Sequence, residues 1–148
     1  MSFLARLGSS NGARRSVSVA LGVCLIFVGL DKIDWLTEDG CLMGRLQEWR
    51  EAARPLPRWY LENVALPGAP VFARLIPIAE LAAGSALVLG FKVRLAAALA
   101  LLMVLNFHFA SDIIYRYDYL INAYGLPILG GLLALAVGGA KLPFSLSK

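Results

Sequence analysis

Seven polar side chains stand within or beside long apolar runs. They are Asp31 and Lys32 behind SVSVALGVCLIFVGL, Arg74 and Glu80 inside VFARLIPIAELAAGSALVLG, Asn106 and His108 inside LAAALALLMVLNFHFAS, and Tyr124 in the apolar stretch after Tyr119. Glu80 is a candidate proton carrier, because burial raises a carboxyl's affinity for its proton. Lys32 and Arg74 can hold an anion or donate to a carbonyl. His108, the single histidine, can hydrogen-bond a quinone carbonyl or ligate one haem or chlorophyll axially; the alternative is a histidine bonded to Asn106 or a backbone carbonyl. Bis-histidine haem ligation and Cys-x-x-Cys-His attachment are both excluded. Cys24 and Cys41 form no Cys-x-x-Cys pair and read as packing residues. With no Ser-His-Asp set, phosphate-cradling glycine loop or metal-ligand cluster, the chain lacks the residues of a hydrolase or a nucleotide enzyme.

The elements that must position these residues follow from composition. Of 148 residues, 59% are hydrophobic and 16% charged, with a mean hydropathy of +0.69. A chain this short cannot hide so much apolar surface in one water-soluble core. A disordered tail and a disulfide scaffold are excluded as well. Spans are expected at about residues 16–36, 71–90, 93–111 and 119–140, each near the roughly 20 residues needed to cross a bilayer. The fold class is therefore all-α, an integral membrane four-helix bundle forming one domain over residues 1–148. The first span is read as retained, since no small-x-small cleavage site follows it. Pro127, after Gly125, is expected to kink the fourth span and free a carbonyl near the polar residues. In the external connection 37–70, Leu42, Leu46, Trp49 and Ala53 recur at helical spacing, which predicts an amphipathic surface helix over Cys41 to Arg54. Trp59 and Tyr60 are placed as interfacial anchors. Ala82, Ala86 and Gly90, and likewise Gly130, Ala134 and Gly138, stand four apart, a spacing that lets helices approach closely in lipid.

Charge orients the bundle. Arg6, Arg14 and Arg15, Lys92 and Arg94, and Lys141 and Lys148 flank one side without any acidic residue, so the positive-inside rule puts both termini in the cytoplasm. The net charge of +4 is thereby a topology signal spread over short flanking segments, and no nucleic-acid partner is expected. At ~1.5 Å per residue, Lys32, Arg74, Glu80, Asn106, His108 and Tyr124 then converge on one outer-leaflet layer, while the inner half is expected to be almost purely Ala, Leu, Val and Gly. Ionisable groups in hydrocarbon need partners or water. Lys32 is the expected partner of Glu80, and Asp31 or Asp112 that of Arg74. The layer serves either as a binding pocket or as an ion-pair network fixing helix register.

Three stretches carry a family resemblance: Phe27-Val28-Gly29-Leu30-Asp31-Lys32-Ile33, Glu80 through Gly90, and Phe91-Lys92-Val93-Arg94-Leu95-Ala96-Ala97. Their Gly-x-x-Lys, Glu-x-x-x-Gly and basic turn resemble the DoxX family of four-span bacterial membrane proteins, over roughly Val17 to Gly138. The resemblance implies a multi-pass protein of the bacterial cytoplasmic membrane. It also implies, for the DoxD-like members, a subunit of thiosulfate:quinone oxidoreductase, with Lys32, Arg74 and Glu80 carried over as the polar pocket. The expected function is an accessory subunit of a membrane redox or electron-transfer assembly. It would bind quinone or lipid through Asp31, Lys32, Arg74, Glu80, Asn106, His108 and Tyr124, with other membrane subunits and the lipid bilayer as partners. If enzymatic, it would be a quinone-linked oxidoreductase; the remaining alternative is a purely structural subunit.

Overall fold

The computed structural model describes residues 10–122, 124–138 and 146, and Arg6, Lys141 and Lys148 lie outside them. Those residues form helices α1 (Ser10–Leu30), α2 (Asp39–Ala52), α3 (Pro55–Tyr60), α4 (Ala69–Leu89), α5 (Val93–Ala110), α6 (Asp118–Ile121) and α7 (Leu126–Gly138). There is no strand among them. Helices α1, α4 and α5 are long and apolar enough to cross a membrane. At ~1.5 Å per residue, the 21-residue α1 and α4 are about 30 Å long, the thickness of the hydrocarbon core.

The α1–α4 crossing is the tightest in the bundle. Gly12, Arg15, Ser18, Gly22, Leu25 and Gly29 form one buried stripe along α1. A Cβ on Gly22 would lie 2.7 Å from the Gly84 carbonyl oxygen, and one on Gly84 would lie 2.7 Å from that of Gly22. Only glycine allows two backbones to come so near. The stripes expected from four-residue spacing do not make this contact: Ala82 is exposed, and nothing lies within 4 Å of a Cβ built on Gly130. One apolar cluster, including Leu25, Leu87, Ala97, Ala100, Leu132 and Leu135, fills the end of the bundle near the α4–α5 turn. Another, including Trp35, Leu42, Leu46, Leu61, Ala69 and Ala73, fills the opposite end.

The first-mentioned end, expected to be almost purely apolar, also holds two buried polar side chains. Arg15, 9% exposed, donates to the Leu87 and Val88 carbonyls at 2.9 and 2.6 Å, and Ser18 Oγ donates to Leu87 at 2.8 Å. These carbonyls lie in the last turn of α4, where the i+4 donors run out, and that of Leu87 also accepts from the Gly90 N–H at 3.3 Å. Gly90, at φ 70°, closes the same terminus, with the Phe91 N–H returning to the Ala86 carbonyl. Arg94 donates to the Ala136 carbonyl at 3.1 Å and Arg14 to that of Gly138, so arginines also bind carbonyls in the last described turn of α7.

Two of the four expected spans change shape. The first begins by Ser10 and ends at Leu30, short of Ile33 or Leu36; a turn at Asp31–Lys32 leads into a 3-10 turn, Ile33–Leu36. The fourth is not one helix. Chain direction breaks between α6 and α7, where the Tyr124 N–H donates to Asn122 Oδ1 at 2.8 Å and a Cβ on Gly125 would meet the Tyr119 carbonyl at 2.6 Å. Pro127 therefore sits in the first turn of α7, where its missing N–H costs nothing, rather than kinking a continuous helix. At 13 described residues, α7 is shorter than a full crossing. The second and third spans run from Ala69 and Val93 nearly as expected. In the long connection, the surface helix is present as α2 with Leu42 and Leu46 buried, and α3 and a π turn, Leu61–Ala65, follow it.

Gly84→Ala should lower stability in detergent by about 1–3 kcal/mol, because the facing backbone cannot yield. Gly130→Ala should leave it within about 0.5 kcal/mol. Thermal unfolding of the two variants side by side checks this; equal midpoints would refute the close-approach account.

Candidate functional site

Helix α1 stops at Leu30, and the turn that follows aims Lys32 back across α4. Its Nζ donates to both carboxylate oxygens of Glu80, at 2.7 and 2.9 Å, and to the Val28 carbonyl at 3.2 Å. Glu80 is 3% exposed. Gly29 makes its room: a Cβ there would come within 3.1 Å of the Glu80 Cβ. The ammonium also lies 5.8 Å from the Trp35 ring centre and 5.7 Å from that of Phe107, so aromatic faces take the place of water around it.

This pair lines a cavity of about 330 Å³ bounded by α1, α2, α5 and α7. Trp35, Trp49 and Phe107 contribute aromatic walls, Leu25, Val28, Ile128 and Leu132 aliphatic ones, and Arg45, His108, Ser111 and Tyr124 polar groups. His108 Nδ1 lies 3.1 Å from the Tyr119 hydroxyl, the rings meeting edge to face, so its partner is neither Asn106 nor a backbone carbonyl. Trp49 and Phe107, also edge to face at 6.3 Å, separate this cavity from a smaller one of about 260 Å³ that is lined by Tyr60, Phe72 and Asn106.

The structure thus gathers Lys32, Glu80, His108 and Tyr124 and leaves three expected residues elsewhere. Asn106 faces the smaller cavity and accepts from the Tyr60 hydroxyl at 2.7 Å. Arg74 is exposed and donates to the Pro70 carbonyl of its own helix at 2.8 Å. Asp31 is exposed and does not line the cavity. Both partners proposed for Arg74 are displaced because the turn after Leu30 leaves Asp31 outside, while Asp112 pairs with Arg54. That carboxylate accepts from the Arg54 N–H at 3.3 Å and lies 3.8 Å from its Nε. Asp112 is buried in a left-handed conformation at φ 58°, and its Oδ1 has no partner among the described residues.

Trp35, Arg45 and Trp49 are cavity residues that sequence reasoning missed. Their signal is spacing: Trp35 follows Lys32 by three positions, and Arg45 and Trp49 stand four apart on α2, which puts each pair on one face.

A bundle of long apolar helices around a sparse buried polar cluster is the architecture of a multi-pass membrane protein. The DoxX family model matches residues 18–111, well over half of the chain, and the chain belongs to that family. No curated protein and no solved structure shows a significant match to it. The match spans Gly29, Lys32, Glu80 and Gly84, so the two motifs of the resemblance meet in space as a single α1–α4 contact.

Lys32→Met leaves Glu80 without its counter-charge and should cost about 3–5 kcal/mol, whereas the double variant Lys32→Met/Glu80→Gln should recover most of that loss. Denaturation of the three proteins in one detergent checks it. A double variant less stable than either single one would contradict the pairing.

Proposed function

We propose that the chain acts as one integral membrane domain, an accessory subunit of a bacterial redox assembly whose polar cavity takes a quinone-like head group. The observation that carries this reading is the cavity itself. Flat aromatic walls from Trp35, Trp49 and Phe107 border a space where His108 can donate to a carbonyl and Glu80, held in place by Lys32, can accept from a hydroxyl. A quinone needs such a set: a planar ring to stack, two carbonyls to bond, and protons on reduction. At about 330 Å³ the space lies at the low end of small-molecule sites and suits a single-ring head group. It is too small for a haem or chlorophyll macrocycle, which argues against His108 as an axial ligand.

The quinone would supply the two-electron chemistry, with electrons arriving from a partner subunit. Glu80, tethered by Lys32, is positioned to hold a proton beside the ring. A DoxD-like place in a thiosulfate:quinone oxidoreductase is the narrower form of this reading, decided by which chains co-purify. A second reading, a purely structural subunit, is favoured by the closure of the Lys32–Glu80 pair on itself, since each satisfies the other without a ligand.

Arg14, Arg15, Lys92 and Arg94 gather where α1 and α5 begin, and the connection carrying α2 lies at the other end. This supports cytoplasmic termini in the bacterial inner membrane. Exposed Cys41 should then react with a membrane-impermeant maleimide added outside intact cells; labelling only after lysis would invert the orientation.

Protein purified in mild detergent should bind a short-chain ubiquinone analogue and co-isolate with larger redox subunits. Affinity should fall about tenfold or more in Glu80→Gln through the lost charged hydrogen bond and in Lys32→Met, which releases the Glu80 carboxylate from its place, and stay unchanged in Arg74→Gln. Stable folded variants that bind as well as the native chain would leave the structural reading standing.

A further inference from the structure

Helix α4 meets α1 closely, but against α5 it leaves an outward-facing furrow of about 480 Å³. Its floor is built from small side chains, among them Ala79, Ala82 and Ala86 of α4 and Ala96 and Ala100 of α5, and exposed Leu95 and Leu99 form the rim. At one end stand Phe91 and Lys92, in the turn between the two helices. The furrow continues to Met103, eleven residues along α5, or about 16 Å at ~1.5 Å per residue. That is about half of the ~30 Å hydrocarbon core, one leaflet deep.

Charge makes the two ends different. Lys92, held at φ 42° ahead of α5, is exposed, with its ammonium 5.7 Å from the Phe91 ring centre. Among the described residues it makes no ion pair, and no Asp or Glu occurs between Leu81 and Ala110. The neighbouring Arg15 and Arg94 are already bonded to helix carbonyls. We propose that the α4–α5 furrow is a binding site for an anionic glycerophospholipid, with one acyl chain along the alanine floor and the phosphate on Lys92. A cation at the water-facing end of a trough one leaflet long matches the shape and charge of such a lipid. A second copy of the chain would instead be expected to pack along a face running the length of the span.

The test is native mass spectrometry of the full chain in detergent, titrated with phosphatidylglycerol and with phosphatidylcholine of the same acyl chains. The native protein should hold phosphatidylglycerol more tightly. Lys92→Gln should cut that preference about fivefold, the usual effect of one basic residue near an anionic lipid surface. Ala82→Phe, at an exposed position, should block the furrow and weaken both lipids about tenfold or more, with helicity and melting temperature unchanged. Glycerol phosphate without acyl chains should not compete. Four results would overturn the proposal: an undiminished preference in Lys92→Gln, native lipid binding in Ala82→Phe, full competition by glycerol phosphate, or a native dimer that Ala82→Phe converts to monomer.

Discussion

Hydrocarbon offers no water to a carboxylate or an ammonium, and the α1–α4 contact is organised around that constraint. Glu80 sits mid-helix in α4, and the charge that balances it comes from Lys32, beyond the end of α1. For Lys32 to reach across, α1 must stop at Leu30, and the two helices must lie close enough for one side chain to span the gap. Gly22 against Gly84 supplies the closeness and Gly29 the room for the Glu80 side chain. Removing any one of these features strands the others, because a paired buried charge becomes an uncompensated one. The Gly-x-x-Lys and Glu-x-x-x-Gly stretches are therefore two halves of one device, with spacing set by the helical repeat.

The same constraint governs the opposite end of the bundle, in the currency of backbone carbonyls. At the end of α4 and in the last described turn of α7, backbone carbonyls are open to donors from neighbouring helices. Arg15 and Ser18 reach those of α4, and Arg14 and Arg94 reach those of α7. A guanidinium has several donors and favours the negative end of the helix dipole. Basic residues that flank membrane spans thus have a second role here. They tie the beginnings of α1 and α5 to the ends of the helices beside them.

Much of the architecture was legible because periodicity and hydropathy are local properties. The apolar runs delimited α4 and α5 to within a few residues, and the spacing of Leu42, Leu46 and Trp49 located α2. Pairing Lys32 with Glu80 was also within reach, since a mid-span carboxylate demands a cation and few were near its depth. Depth alone, however, does not say which way a side chain points. Arg74 and Asn106 share the level of the cavity but project from faces that turn away from it, while Arg45 and Trp49 enter it from a surface helix whose fold-back hydropathy does not encode. Asp112 was matched with Arg74 by proximity in depth. Its actual partner is Arg54, brought there by the loop that contains α3.

By itself the sequence determined that this is a helical membrane protein of the DoxX family with a few ionisable residues inside its apolar runs, because composition, helical period and short motifs are read along the chain. Only the tertiary structure decided where α1 ends and that the last apolar stretch is divided between α6 and α7. It also decided which polar residues share a cavity, and that arginines close helix ends rather than stand free. Each of these depends on the azimuth of a side chain and on the distance between two backbones, quantities that exist only once helices have been packed against one another.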